Sequence, residues 1–293
     1  MKGYFGYTGM LLLALVCFLL PAGYLRTGKY SGVVIENRKD LSLKIQSAMV
    51  GRTYRILVRF KTHSPVKDRV EDLISQMMED ALSENEDPRT GDYLRYQYGG
   101  YTLKYREARD SSGFLYTAGI EPVYYTSIQE EEKVDARIDE ILDSFGLDSS
   151  ASDYEKVCCV RDYICRTVDY DTVHRRSPGS RHIPSTAYAG LFYHTALCQG
   201  YAVLCYRLLK ELGLDTRIVT GQTLVGGQRD KHAWNIVCLN GKYYNLDVTM
   251  DDVSGTRDYF LKCDQSLAAT HQKDEKYQSE EFLREYPLAL EDY

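Results

Sequence analysis

This chain lacks the strong positive charge that a nucleic-acid binder carries. Its 36 Lys and Arg are outnumbered by 42 Asp and Glu, leaving a net charge of −6. Duplex nucleic acid calls for a basic surface, so no nucleic-acid partner is expected. Tryptophan is nearly absent, with Trp234 alone against 26 tyrosines. No Cys-x-x-Cys pair occurs, which removes the scaffold of a structural zinc site. A calcium-binding loop, a phosphate-cradling glycine loop, an internal repeat and a low-complexity stretch are missing as well; Gly226-Gly227 lies only in a polar turn before His232. No metal and no cofactor are expected. What is present is globular: 293 residues, 44% hydrophobic and 27% charged, room for one large domain or two modest ones.

Between Lys2 and Arg26 there is no charged residue, and Met10 to Leu20 is an unbroken apolar run. The run fits a signal-peptide core, and the whole uncharged stretch reaches the roughly 20 residues needed to cross a bilayer. Residues 1–31 are therefore expected to be a signal peptide or a single N-terminal anchor. The protein is expected to be exported, either secreted or held at the membrane. Cys17 lies in the run, leaving Cys158, Cys159, Cys165, Cys198, Cys205, Cys238 and Cys263. Seven is odd, so at least one thiol stays free or pairs between chains.

Residues 32–147 read as an N-terminal α+β module of β-α-β-β type. Tyr54 to Lys61 alternates like a strand, Val66 to Ser83 has helical apolar spacing, and two Tyr-rich strands follow around 93–105 and 114–126. A helix is expected over Glu130 to Phe145. Ser152 with Glu155 makes a capping box for another helix, ending near Thr167. Asp169 to Ser185 is a loop with a basic cluster, Arg175, Arg176 and Arg181. Within residues 148–293 a helix starts at Cys198 and stops at Gly213, and Asp215 to Gly221 is a strand. His232 to Leu239 and Lys242 to Thr249 flank Asn240-Gly241, a strong hairpin signal. Tyr259 to Cys263 is expected to add one more strand.

Cys198, His232 and Asp247 fall on these elements together. A cysteine that opens a helix meets unpaired N–H groups and the positive end of the dipole, both of which favour the thiolate nucleophile. If Leu239 pairs with Lys242, Asp247 faces Trp234 and His232 faces Thr249, all four on one face. His232 and Asp247 are then diagonal neighbours about 7–8 Å apart, within reach of an imidazole and a carboxylate. A Cys-His-Asp triad needs that: the Asp fixes the imidazole, and the imidazole holds the thiolate. Each residue alone also has a packing explanation, and it is the combination that points to chemistry.

The motifs Leu197-Cys198-Gln199-Gly200-Tyr201-Ala202, Lys231-His232-Ala233-Trp234-Asn235 and Tyr243-Tyr244-Asn245-Leu246-Asp247-Val248-Thr249 resemble the transglutaminase-like superfamily, in particular its exported bacterial members. The resemblance covers about residues 153 to 271, with Tyr259-Phe260-Leu261 and His271 behind the third motif. It implies an α+β fold with a papain-like transglutaminase core, the nucleophile helix packed on an antiparallel sheet, preceded by a small α/β module. It implies Cys198 as nucleophile, His232 as general base and acid, Asp247 as the orienting residue, and Trp234 as a wall of the dyad. His271 matches a family position and reads as structural. The Cys198 N–H is the default oxyanion donor, with Gln199 and Tyr188 as further candidates. Where the family often has a small Asn-Gly-type turn before the cysteine, this chain has Tyr193-His194, which leaves the substrate class open. The implied function is thiol acyl transfer on amide bonds of a protein or peptide substrate, by hydrolysis or cross-linking, with a cell-wall component as a further partner. The other function open to this fold is a non-catalytic module for envelope binding or assembly.

Overall fold

The computed structural model describes residues 38–176, 182–225 and 228–293. The apolar run with Cys17, the Gly226-Gly227 pair and Arg181 lie outside the described residues, as does the side chain of Arg176. Among the described residues no helix is long and apolar enough to cross a membrane.

The chain divides into two compact units that do not follow chain order. The first comprises residues up to Ser83 together with Tyr98–Tyr124, and the second comprises Glu84–Gln97 together with Tyr125–Tyr293. The boundary expected at residue 147 thus falls inside the second unit.

In the first unit, α1 (Arg38–Val50), β1 (Ile56–Thr62), α2 (Val70–Ala81), β2 (Tyr98–Asp110) and β3 (Gly113–Tyr124) build an antiparallel sheet of order β1-β3-β2 with two helices. Three strands form as expected, but the second begins at Tyr98 rather than near residue 93, because Gly91–Arg95 are helical, and α1 is an addition to the expected elements. Ser111 and Ser112 form the β2–β3 turn, and Asp110 Oδ1 accepts the Ser112 N–H at 2.8 Å.

The second unit begins with α3 (Gly91–Arg95), a short helix from the segment between α2 and β2. Asp92 there accepts from Arg217 Nε and from the Ile218 N–H, both at 2.8 Å. Next come α4 (Ile128–Ser144) and α5 (Asp153–Thr167), each opened by a complete capping box: Ser127 with Glu130, and Ser152 with Glu155. The two-residue strands β4 (Asp169–Tyr170) and β5 (Thr195–Ala196) pair in parallel just before α6 (Cys198–Glu211). An antiparallel sheet of order β8-β7-β6-β9 follows, from β6 (Thr216–Val225), β7 (Gln228–Leu239), β8 (Lys242–Leu246) and β9 (His271–Lys273). The helices α7 (Val248–Ser254), α8 (Asp264–Leu267) and α9 (Glu280–Glu285) complete the unit.

The core forms where α5 and α6 bury Val157, Val160, Ile164, Leu204 and Leu208 with Ala233 and Val237 of the sheet. Trp234 and Ile236, of opposite parity on β7, bury with Tyr243, Tyr277, Phe282 and Tyr286. This is the helix-on-sheet α+β core that was expected. The hairpin turn also stands as read, with Asn240 at φ 53 and Gly241 at φ 75, and Leu239 pairs with Lys242.

Two expected strands end differently. The run from Lys242 is β only to Leu246, because Asp247 leaves the ladder to cap α7, so Thr249 is helical and does not face His232. Tyr259 to Cys263 is no strand: Leu261 sits at φ 51, which breaks extension, and only a single bridge joins Lys262 to Asn245. The fourth strand is β9, at the other edge, paired with β6.

Gly221 makes that edge possible. It pairs with His232 on one side and Lys273 on the other, and a Cβ there would lie 2.1 Å from the Gln272 carbonyl oxygen. Gly221→Ala is expected to push β9 off the sheet and cost about 1–3 kcal/mol, the range for overpacking a tight site. Chemical denaturation measures the loss; a variant as stable as the parent would mean that β9 is not held this closely.

Candidate functional site

Cys198 is the first residue of α6. Leu197, the cap residue, supplies no side-chain acceptor, so the first-turn N–H groups are left to the thiol and to whatever binds beside it. The turn is seated by Gly200, where a Cβ would lie 2.5 Å from the Pro184 carbonyl oxygen and 2.9 Å from Ala196 Cβ. Only glycine allows α6 to begin this close to the 184–186 backbone. The left-handed residue needed just upstream is supplied by His194, at φ 54, in place of an Asn-Gly turn. Cys198 is partly exposed.

His232 and Asp247 are buried beside it. His232 Nε2 donates to Asp247 Oδ2 at 2.6 Å. The expected pair therefore meets, although by a different route: not across a strand pair but from β7 to the residue at which β8 turns into α7. Asp247 Oδ1 accepts the Met250 N–H at 3.0 Å, and the Asp247 N–H donates to the Tyr259 carbonyl at 3.1 Å. Helix α7 is fastened in turn by Asp251, whose carboxylate accepts from Arg161 Nε at 3.1 Å and from the Tyr259 N–H at 3.0 Å.

His271 was expected to be structural, yet it shares the same oxygen. Its Nε2 donates to Asp247 Oδ2 at 2.8 Å. The signal in the sequence was its place behind the Tyr259-Phe260-Leu261 motif; the strand that delivers it, three residues long, has no periodicity to read. His232, Asp247 and His271 offer three metal-ligating atoms within 4.8 Å of one another, the one such group found among the described residues. Both Nε2 atoms already donate to the carboxylate, so a cation entering here would have to displace two protons.

The remaining sequence candidates are placed as follows. Trp234 is fully buried; its ring stacks on His232 with centroids 5.9 Å apart and meets His271 edge-on at 5.1 Å. Its Nε1 donates to Asn245 Oδ1 at 3.0 Å. Trp234 thus supports the imidazole from behind. Gln199 donates its amide to the Tyr96 carbonyl at 2.6 Å, making it a strut rather than a free oxyanion donor. Tyr188 stacks on Phe192 at 4.6 Å and meets Tyr193 edge-on at 5.6 Å, a packing role. In the 169–185 loop, Asp171 accepts from the Val173 and His174 N–H groups at 3.0 and 2.8 Å, and Arg175 pairs with Asp230 at the start of β7. That pair ties the loop close to His232 and offsets part of its positive charge.

Electrostatics favour a charged dyad. Burial opposes ionisation of the Cys198 thiol, but the hydrogen bond and charge of His232, with the Ala233 N–H, outweigh it and bring the pKa below an ordinary thiol's. Burial opposes protonation of His232, but the charge and hydrogen bond of Asp247, with Cys198, push its pKa up to about 10. Burial would raise Asp247; His232 and then His271 hold it well below the usual carboxylate range. Both shifts favour the thiolate–imidazolium form over the neutral pair. Elsewhere burial pushes thiols the other way: Cys165 to about 12, with Cys159, Cys205 and Cys238 also raised.

At near-neutral pH iodoacetamide should label Cys198 well ahead of the other six described cysteines, all of them free. Peptide mapping checks this, and equal labelling at Cys205 or Cys263 would contradict it. The His232–Asp247 pair also sets a stability window. His232 is raised, so its contribution is complete below an unfolded value of about 6.5 and is lost as pH rises through about 10. Asp247 is depressed, so its contribution is complete above an unfolded value of about 3.9 and is lost as pH falls through its folded value. Thermal unfolding of the parent and Asp247→Asn should differ most between about pH 4 and 6.5. A difference independent of pH would mean that the pair is uncharged.

Comparison with known proteins adds a family. Residues 144–248, which hold Cys198, His232 and Asp247, match the model of the Transglutaminase-like superfamily. No functionally curated protein is detectably similar in sequence. Among solved structures, a TGase is 18% identical over 67% of this chain and 50% of its own, with a TM-score of 0.38. A candidate cysteine protease from Cytophaga hutchinsonii is 17% identical over 52% of this chain and 65% of its own, with a TM-score of 0.31. The chain thus spans half the length of the first and about two-thirds of the second, and the assignment rests on the 144–248 match rather than on these two. By that match, the segment 144–248 of this chain is similar to the transglutaminase-like superfamily.

Proposed function

We propose that the protein is a cysteine-dependent acyl-transfer enzyme acting on amide bonds of proteins or peptides. One observation carries the reading: a partly exposed thiol with a depressed pKa opens a helix beside a buried histidine whose far nitrogen is held by a buried carboxylate. A cysteine kept only for packing has no use for an ion pair of this kind. The family of the 144–248 segment supports the same chemistry.

In this mechanism the Cys198 thiolate attacks the amide carbonyl, and the new oxyanion takes the N–H groups of the α6 N-terminus, the Cys198 N–H first. The His232 imidazolium gives its proton to the leaving amine, the C–N bond breaks, and a thioester remains. An incoming water or amine then loses its proton to His232, attacks the thioester and releases Cys198. Asp247 stays ionised throughout and holds the imidazole in one orientation. With water as acceptor the enzyme is a peptidase or amidase; with a lysine amine it is a cross-linker. The proposal also takes the protein as exported, secreted or membrane-anchored, on the strength of the Met10 to Leu20 run alone.

A thiol-directed acylating probe incubated with the full chain tests the reading. The expected product is a thioester adduct on Cys198, visible as a mass shift that disappears in Cys198→Ala and decays faster when an amine is added. Asp247→Asn should leave the fold intact yet slow acylation by up to about 10⁴, the cost of the same change in a serine protease. Acylation of Cys198→Ala at the parent rate would overturn the proposal.

A further inference from the structure

Asp247 is claimed by two imidazoles, and only His232 faces the thiol. The second, His271, has a side chain only 3% exposed and shares Oδ2 with His232, at 2.8 and 2.6 Å respectively. We infer that His271 is a positioning residue for the acyl-transfer site: a second imidazole donor that keeps the Asp247 carboxylate aimed at His232. The inference rests on the thiol-enzyme reading above.

The hydrogen-bond bookkeeping assigns the proton. An ionised carboxylate only accepts, so His271 Nε2 must carry a hydrogen to stand 2.8 Å from it. His271 Nδ1 lies 2.9 Å from Thr270 Oγ1, whose hydroxyl can donate to it and so fix the Nε2–H tautomer. The same hydroxyl also lies 3.2 Å from the Leu267 carbonyl, its alternative acceptor. Around the ring stand Trp234 at 5.1 Å, Tyr259 at 5.6 Å and His232 at 5.8 Å between centroids. Asp247 therefore has a donor at every point where the carboxylate would otherwise turn: Met250 N–H on Oδ1, and both imidazoles on Oδ2. Without His271 the carboxylate keeps only its cap and one imidazole, and nothing on the β9 side stops it from rotating away from His232. The placement comes from the sheet: His271 pairs with Thr223 on β6, while Gly221, two residues earlier on the same strand, pairs with His232.

Three versions of the full chain test this: the parent, His271→Gln and His271→Phe, with Cys198→Ala as the labelling control. The readout is the pH dependence of Cys198 alkylation. Gln keeps an amide donor near Nε2, whereas Phe keeps the ring volume and loses the donor. His271→Phe should slow alkylation near neutral pH about tenfold and move the profile towards an ordinary thiol, the order expected for losing one hydrogen bond to a charged group. His271→Gln should stay within about threefold of the parent. Identical profiles in all three, or equal damage from Gln and Phe, would overturn the inference, the second outcome pointing to packing alone. Should His271→Phe fail to fold, nitrogen NMR of the parent decides: a hydrogen on Nε2 is expected, and its absence overturns the proposal. An ordinary thiol profile in the parent would instead reject the thiol-enzyme reading, and the Nε2 measurement would still decide whether His271 donates to Asp247.

Discussion

An ionised carboxylate with no exposure to water is costly unless every lone pair it keeps is met by a donor. Asp247 is in that position, and much of the second unit is arranged around meeting it. Its backbone ends β8, its Oδ1 starts α7, and its Oδ2 receives one histidine from β7 and another from β9. The charge that survives in this setting is the charge that His232 answers, and through His232 it reaches a thiol at the end of a different helix. Had the carboxylate been solvated, the same contacts would be screened to little.

Close approach is the second constraint. Two glycines of the second unit stand where a methyl group would collide with backbone: Gly200 against the 184–186 segment, and Gly221 against β9. The first lets the nucleophile's helix begin beside the His232 strand. The second lets a short edge strand carry His271 in from the opposite side. Neither glycine adopts a left-handed conformation, so their value lies in missing volume rather than backbone freedom.

How much of this the sequence discloses depends on the range of the forces involved. The Ser152 to Glu155 cap, the Asn240-Gly241 turn and the helical spacing after Cys198 are local signals, and all three are present as read. The meeting of His232 with Asp247 was also legible, but the strand pairing offered for it was not the cause, because a capping aspartate ends a strand that its neighbours would continue. β9 and the left-handed Leu261 were hidden: a three-residue edge strand takes its shape from the partner it lands on, not from its own pattern. The division of the chain was hidden too, since nothing in residues 84–97 announces which unit they join.

That last feature bears on how the second unit comes to exist at all. Arg217 lies in β6 with its guanidinium over the Tyr286 ring, and Asp92 and Glu84, both contributed by the 84–97 segment, are its carboxylate partners. A polypeptide starting at residue 125 would fold its sheet around a largely buried cation with neither, a defect of about 3–5 kcal/mol where one member of a buried ion pair is removed. The strut from Gln199 to the Tyr96 carbonyl would go with it, next to the nucleophile. The second unit is therefore discontinuous in inheritance as well as in space: it cannot be transplanted, truncated or shuffled as one contiguous stretch without losing a counter-ion at its core and a brace at its reactive end.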